Sequence, residues 1–234
     1  MSAGVLFARP VERERVRPEE ESARQEEGWN PEVFAREQIR SLVRRVFFSH
    51  TERPVRQVVF SALEPETDVR DVCRRVGEAL ALETESTVAV VGEYSQAVEG
   101  LEASDAESRS RSGRIGRTPL RQAASRLTGN LWLVAAARKD GDCSSTRCVH
   151  SHLQELRTEF EYSIVEASAA GGSHEATALA QFADGIILVL SAHRTRRIMA
   201  RKIKETLEGA QVRILGTVLS DRIFPIPEEI YRRL

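Results

Sequence analysis

The residues of this chain best placed to do chemistry lie between Ser61 and Arg70, SALEPETDVR. An apolar run, Val58-Val59-Phe60, precedes them, and Val69, Val72, Val76 and Leu80 follow at steps of three and four. That pattern predicts a strand, a tight loop and a helix, the arrangement in which a helix N-terminus meets a phosphate. A loop that cradles phosphate needs glycines to let backbone N–H groups close in, a lysine against the charge and a Ser/Thr hydroxyl for Mg²⁺. Aligned through Pro65, this loop puts Glu66 and Asp68 where glycines belong, Val69 on the lysine and Arg70 on the hydroxyl. A carboxylate about 4 Å from a phosphate charge costs roughly 4 kcal/mol at an effective dielectric near 20, and Glu64, Glu66 and Asp68 are offered together. The helix dipole is expected to be answered internally, with Thr67 or Asp68 as N-cap and Asp71 in the first turn.

Three other groupings invite a chemical reading. Cys143, Cys148, His150 and His152 place four ligand-capable groups within ten residues. The two-residue histidine spacing suits a structural zinc site poorly, so reduced surface thiols and no metal are expected. The GRIGR stretch at 113–117 has the glycines of a dinucleotide fingerprint but no strand before it, and reads as surface loop. Arg194, Arg196, Arg197, Arg201, Lys202 and Lys204 form a basic cluster that could meet acidic lipid or a partner, or simply be solvated.

The elements that must position these residues alternate between strand and helix. Asn30-Pro31 opens an amphipathic helix carrying Val33, Phe34, Ile39, Leu42, Val43, Val46 and Phe47, with Arg36, Glu37, Arg40 and Arg44 on its polar face. Thr87–Val91 reads as a buried parallel strand ending at Gly92. A polar Ser/Arg/Gly-rich loop over about 102–118 leads to a short helix over Pro119–Leu127 and a strand over Asn130–Ala136. A helix from about Val149, the strand Tyr162–Ala167, a helix over 174–183 and the apolar strand Gly185–Ser191 follow. A basic helix over about 195–209 and the strand Val212–Leu219 complete the pattern.

Length and composition agree with one large α/β domain. The chain has 234 residues, 41% of them hydrophobic, enough for a sizeable core. A net charge of −1 gives no basis for nucleic acid as partner. No apolar run reaches the length of a membrane span. Three cysteines without a secretion signal suit a reducing cytoplasm. Residues 1–30 mix both charge signs with little periodic apolar content and read as a disordered leader, in which Val5-Leu6-Phe7 could anchor a docking tether. Residues 31–234 form the expected domain.

The chain resembles the bacterial tyrosine autokinases of capsule and exopolysaccharide biosynthesis, P-loop proteins related to the MinD/ParA ATPases. The likeness runs from about Pro31 to Leu234, through EQIRSLVRRVFF, VVFSALEP, FEYSIVEAS, LAQFADGIILVLSAHRTRR and VRILGTVLSDRIFPIPEEIYRRL. It implies a P-loop NTPase-like, three-layer α/β/α fold with a mostly parallel sheet. The family's phosphate loop falls on Glu66, Thr67, Asp68, Val69 and Arg70, its second acidic position on Gly92 and its Walker B aspartate on Glu166. A tyrosine-rich end, the family's own phosphorylation substrate, is represented by Tyr231 alone. The ring-forming motif of the first helix keeps Glu37 and Arg40, has Val43 at the third position, and carries Arg44 one place late.

The resemblance implies a protein of polysaccharide export, and the altered loop sets the choice within it. One reading is a catalytically degenerate scaffold or regulator without cofactor. It would bind a membrane chain-length or export protein or a catalytically active homologue, assemble as a homo-oligomer, and sit in the cytoplasm or at the inner face of the membrane through that partner. The alternative is an ATP- and Mg-dependent tyrosine autokinase or ATPase with a non-standard phosphate loop, aided by Arg70 or the Arg194–Arg197 group. A structural subunit with an unrelated partner is a third, plainer reading.

Overall fold

Gln57–Ala62 (β1) and Val88–Gly92 (β2) are buried at every residue. Strands buried on both faces need helices on both sides, and the chain supplies them. The computed structural model describes residues 31–49, 53–92, 119–136, 146–172 and 174–221; of Pro31, Thr146 and Cys148 it describes the backbone alone. Residues 36–223 make one compact unit. Of the remaining unit, residues 31–35 are described, as the start of the first helix. The leader, Val5-Leu6-Phe7, the 102–118 loop, Cys143, the Cys148 side chain and Tyr231 lie outside the described residues.

In chain order the elements are α1 (Pro31–Phe47), β1, α2 (Val69–Glu83), β2, α3 (Leu120–Ala123), β3 (Ser125–Thr128), β4 (Leu131–Ala135), α4 (Thr146–Glu159), β5 (Tyr162–Ala167), α5 (Glu175–Phe182), β6 (Gly185–Ser191), α6 (Arg197–Gly209) and β7 (Ile214–Ser220). Among the described residues seven strands form one sheet in the order β3-β4-β2-β5-β1-β6-β7. All pairs are parallel except β3 with β4. This is the three-layer, P-loop NTPase-like architecture expected from the sequence.

Alternate residues of the strands feed two cores. Val58, Phe60, Val88, Val90 and Ile164 pack with Val43, Val46 and Phe47 of α1 and with Val69, Val72, Val76 and Leu80 of α2. Val59, Ala89, Val91, Val165, Ile186 and Leu188 pack on the opposite face against Leu153 and Leu156 of α4, Ala176 and Leu179 of α5, and Ile203 and Leu207 of α6. The sides follow from crossover handedness. The connection from β1 to β2 runs towards one edge of the sheet and carries α2; those through α4, α5 and α6 run towards the other edge and lie on the other face.

Two close approaches fix the layers. Gly77 lies inside α2, where glycine weakens a helix. A Cβ there would stand 2.3 Å from Val90 Cγ2, so α2 can lie this close to β2 only without a side chain. At the amino-terminal end of the central strands, Asp184 Oδ2 accepts the backbone N–H groups of Arg56 and Gln57, each at 2.8 Å. Arg157 donates to Asp184 Oδ1 at 2.8 Å and to Gln57 Oε1 at 2.9 Å. The fully buried Gln57 side chain then donates to the Leu153 carbonyl.

Several boundaries differ from the sequence reading. Pro119–Leu127 is divided between a single helical turn and the exposed edge strand β3, whose SRLT sequence has no alternating pattern and is held by pairing with β4. The last helix starts at Arg197, because residues 192–196 form a turn closed by Thr195 N–H donating to the Ser191 carbonyl. Val33 of α1 is 49% exposed, and the helix reaches the core through Val43, Val46 and Phe47.

Candidate functional site

The carboxyl ends of β1 and β5 are neighbours in the sheet, and their connections leave in opposite directions: α2 carries the chain towards β2, α5 towards β6. Such a switch point opens a crevice at the carboxyl end of a parallel sheet, where ligands of these folds bind. Here it is a cleft of about 350 Å³ lined by residues 62, 64–70 and 166–169. Glu66, Thr67, Asp68, Val69, Arg70 and Glu166 are thus gathered at one place. Gly92 ends β2 on the far side of β5, paired with Ala135, and does not line the cleft.

Backbone and short side chains stitch the two loops together. Ser61 Oγ donates to the Ser168 carbonyl at 2.7 Å, and Ala170 N–H to the Ala62 carbonyl at 2.8 Å. Ser168 Oγ in turn donates to the Glu175 carboxylate at the start of α5. Gly171 permits this closeness, since a Cβ there would lie 2.4 Å from the Leu63 carbonyl oxygen.

The loop between β1 and α2 is built from its own polar groups. Thr67 N–H closes a turn on the Glu64 carbonyl at 3.2 Å. Asp68 is the N-cap of α2, with φ −73° and ψ 99°, and its carboxylate accepts Asp71 N–H at 3.1 Å. Glu64 Oε2 accepts from Thr195 Oγ1 at 3.0 Å, tying the loop to the turn after β6. Val69 borders the cleft but is only 7% exposed, its side chain packed in the α2 core. None of residues 63–68 is a glycine or has a left-handed φ. Alternation of right- and left-handed residues is what converges successive N–H groups into an anion-binding nest.

Arg70 and Glu166 meet across the cleft. Arg70 Nε lies 3.6 Å from Glu166 Oε2, the arginine side chain 44% exposed and the glutamate 19%. Glu166 reaches this place because β5 pairs in register with β1, Glu166 opposite Phe60. Behind the loop, burial pushes the Cys73 thiol well above its ordinary pKa, and the charges of Glu166 and Asp68 push it further the same way.

The remaining sequence candidates are placed separately. Arg44 makes a two-pronged contact with Glu83 at the end of α2, at 3.0 and 3.3 Å, and Arg40 Nε lies 3.7 Å from the same carboxylate. Glu37, Arg40 and Arg44 border a shallow depression on α1. His150 packs its ring on Phe182, centroids 4.8 Å apart. Among the described residues no group of three His, Cys, Asp or Glu side chains is arranged to hold a metal. The Glu64–Thr195 contact and the Ser61–Ser168 stitch were not foreseen; their one sequence signal is the position of Ser61 at the end of a buried strand.

The mostly parallel sheet between two helix layers is a P-loop NTPase-like fold, and solved structures share it. The kinase domain of Escherichia coli tyrosine kinase ETK superposes with a TM-score of 0.63 over 82% of this chain and 79% of that one, at 14% identity. The VpsO kinase domain gives 0.60 over 82% and 98%, at 17% identity. MinD cell division protein from Aquifex aeolicus gives 0.54 over 76% and 73%, at 16% identity. No protein-family model and no curated protein matches the sequence.

Proposed function

We propose that this protein is a catalytically degenerate relative of the tyrosine autokinases, acting as a scaffold or regulator in capsule or exopolysaccharide biosynthesis and export. The observation that carries this reading is the loop Leu63–Asp68: no glycine, no left-handed residue, and a following helix capped by its own Asp68. An ATP phosphate chain there would meet the Glu64, Glu66 and Asp68 carboxylates without a converging set of N–H donors. It would also have to part Arg70 from Glu166, the residues at the hydroxyl and Walker B positions. ATP and Mg²⁺ therefore do not fit this cleft, and no phosphoryl-transfer step is assigned to it.

The structural likeness to tyrosine kinase domains over four-fifths of the chain supports a shared pathway. A scaffold kept in that pathway would engage a membrane chain-length or export protein, or a catalytically active homologue, through the surface its relatives use. Among the described residues no helix is long and apolar enough to cross a membrane; membrane proximity through that partner is part of the same proposal.

Calorimetric titration of the full chain with Mg·ATP tests the nucleotide part. No heat of binding and an unchanged melting temperature at saturating ATP are expected. A Kd below about 10 μM, equivalent to roughly −7 kcal/mol, would establish the alternative of an active nucleotide-dependent enzyme. Co-purification with an export-system membrane protein tests the pathway.

A further inference from the structure

The start of α6 carries a surface that the cleft does not explain. From residue 185 to residue 204 there is no aspartate or glutamate, whereas Arg194, Arg196, Arg197, Arg201, Lys202 and Lys204 all fall within the last eleven positions. All six are exposed, and among the described residues Lys204 alone of the six meets a carboxylate, that of Glu208 one turn on. Among them stand two of the large apolar side chains left in water: Ile198, 84% exposed, and Met199, 42% exposed. The core face of α6 is made by Ile203 and Leu207, and Ile198 lies away from it, sharing its stripe with Arg201 and Lys202. The preceding turn is held in place, since Thr195 Oγ1 donates to Glu64 and accepts Ser191 N–H at 3.0 Å.

We infer that this face, Arg194–Lys202, docks directly on an anionic lipid bilayer. Basic side chains are drawn to the negative surface of the leaflet, while an apolar side chain among them enters the interface below the headgroups. Arginine and lysine stems lie along that boundary and keep their charges at the phosphates. Nucleic acid would satisfy the charge and leave Ile198 in water, and the basic stretch itself, residues 194–204, carries no aromatic ring for bases to stack on. An acidic protein would need an apolar pocket shaped for Ile198 and Met199; the bilayer interface needs no shape. The inference stands apart from the nucleotide cleft.

The test is co-sedimentation of the full chain with phosphatidylcholine vesicles, with and without phosphatidylserine. Wild type is compared with I198S/M199S, which keeps the charge, and with R197Q/R201Q/K202Q, which keeps the apolar side chains. All five positions are exposed, and melting temperature checks that each variant is folded. Sedimentation with the phosphatidylserine vesicles is expected, weakening as salt rises. A several-fold loss is expected in the serine variant, and roughly a hundredfold in the glutamine variant, at about fivefold for each of its three cations. Equal sedimentation with neutral vesicles, none with either, or binding unchanged in both variants would overturn it. So would a duplex-DNA gel shift that persists in I198S/M199S while the vesicles stay unbound.

Discussion

Arg70 and Glu166 face each other at 3.6 Å between the end of β1 and the end of β5. One stands at the start of α2 and the other on the neighbouring strand, so the pair bridges the two walls of the cleft. At that distance it is an ion pair rather than a hydrogen bond. With the arginine 44% exposed, its net contribution to stability is small. Arg70→Ala should therefore shift the unfolding free energy by less than about 1 kcal/mol, measured by urea titration, and should confer no ATP binding. A loss several times larger would mean that the cleft walls depend on this pair.

Placing a lysine at the P-loop position fails for a second reason. Val69 is 7% exposed and belongs to the α2 core, so Val69→Lys forces a cation among apolar side chains as well as into an acidic loop. The expected result is a loss of about 2–4 kcal/mol in stability and no heat with Mg·ATP. Recovery of ATP binding by this single change would show that charge, and not loop shape, is the defect.

Cys73 offers a probe of the loop's packing. It is fully buried, and burial, followed by the Glu166 and Asp68 charges, raises its pKa. In a protein with Cys143 and Cys148 replaced by serine, Ellman's reagent should label no thiol until urea unfolds the chain. The thiol pKa is raised on folding, so stability should fall as pH rises past the ordinary thiol range, where only the unfolded chain loses its proton. Cys73→Ser should flatten that alkaline slope.

Acid pH acts through Asp71. Burial alone would raise its pKa, but hydrogen bonds from Arg74 and Arg75, aided by their charges, outweigh it and lower the value. The stabilisation is present above the ordinary carboxylate pKa and lost as pH falls through the lowered one. The stability gap between wild type and Asp71→Asn should be widest near neutrality and shrink below about pH 4. A gap that stays constant down to pH 2, read by urea titration at each pH, would remove the carboxylate from the explanation.

The far end of the sheet should be less tolerant. Asp184→Ala strands the Arg56 and Gln57 N–H groups and frees Arg157 from its carboxylate. The Asp184 side chain is part-exposed, so water replaces some of the three lost bonds, and a total loss of about 2–4 kcal/mol is expected in denaturant unfolding. Asp184→Asn should recover part of it by keeping an acceptor.

The sheet was largely legible because its central strands are uninterrupted apolar runs. Tyr162–Ala167 and Gly185–Ser191 are bounded in the sequence as they are in the structure. β3 was not legible, since Ser125–Thr128 owes its conformation to β4 rather than to its own side chains. The strand–loop–helix at Ser61–Arg70 was visible from periodicity, and Asp68 proved to be the cap of the two residues considered. The partners of the loop carboxylates were hidden. Glu64 with Thr195 and Arg70 with Glu166 join positions about a hundred or more residues apart, and only strand order brings them together.

The hydrogen-bonded cluster of Asp184, Arg157 and Gln57 has a historical implication. It clamps the sheet at the end opposite the cleft, so the rigidity of the fold does not depend on the wording of the Glu64–Asp68 turn. Under the degenerate reading proposed above, that turn could lose its glycines one by one while the clamped end of the sheet stayed intact.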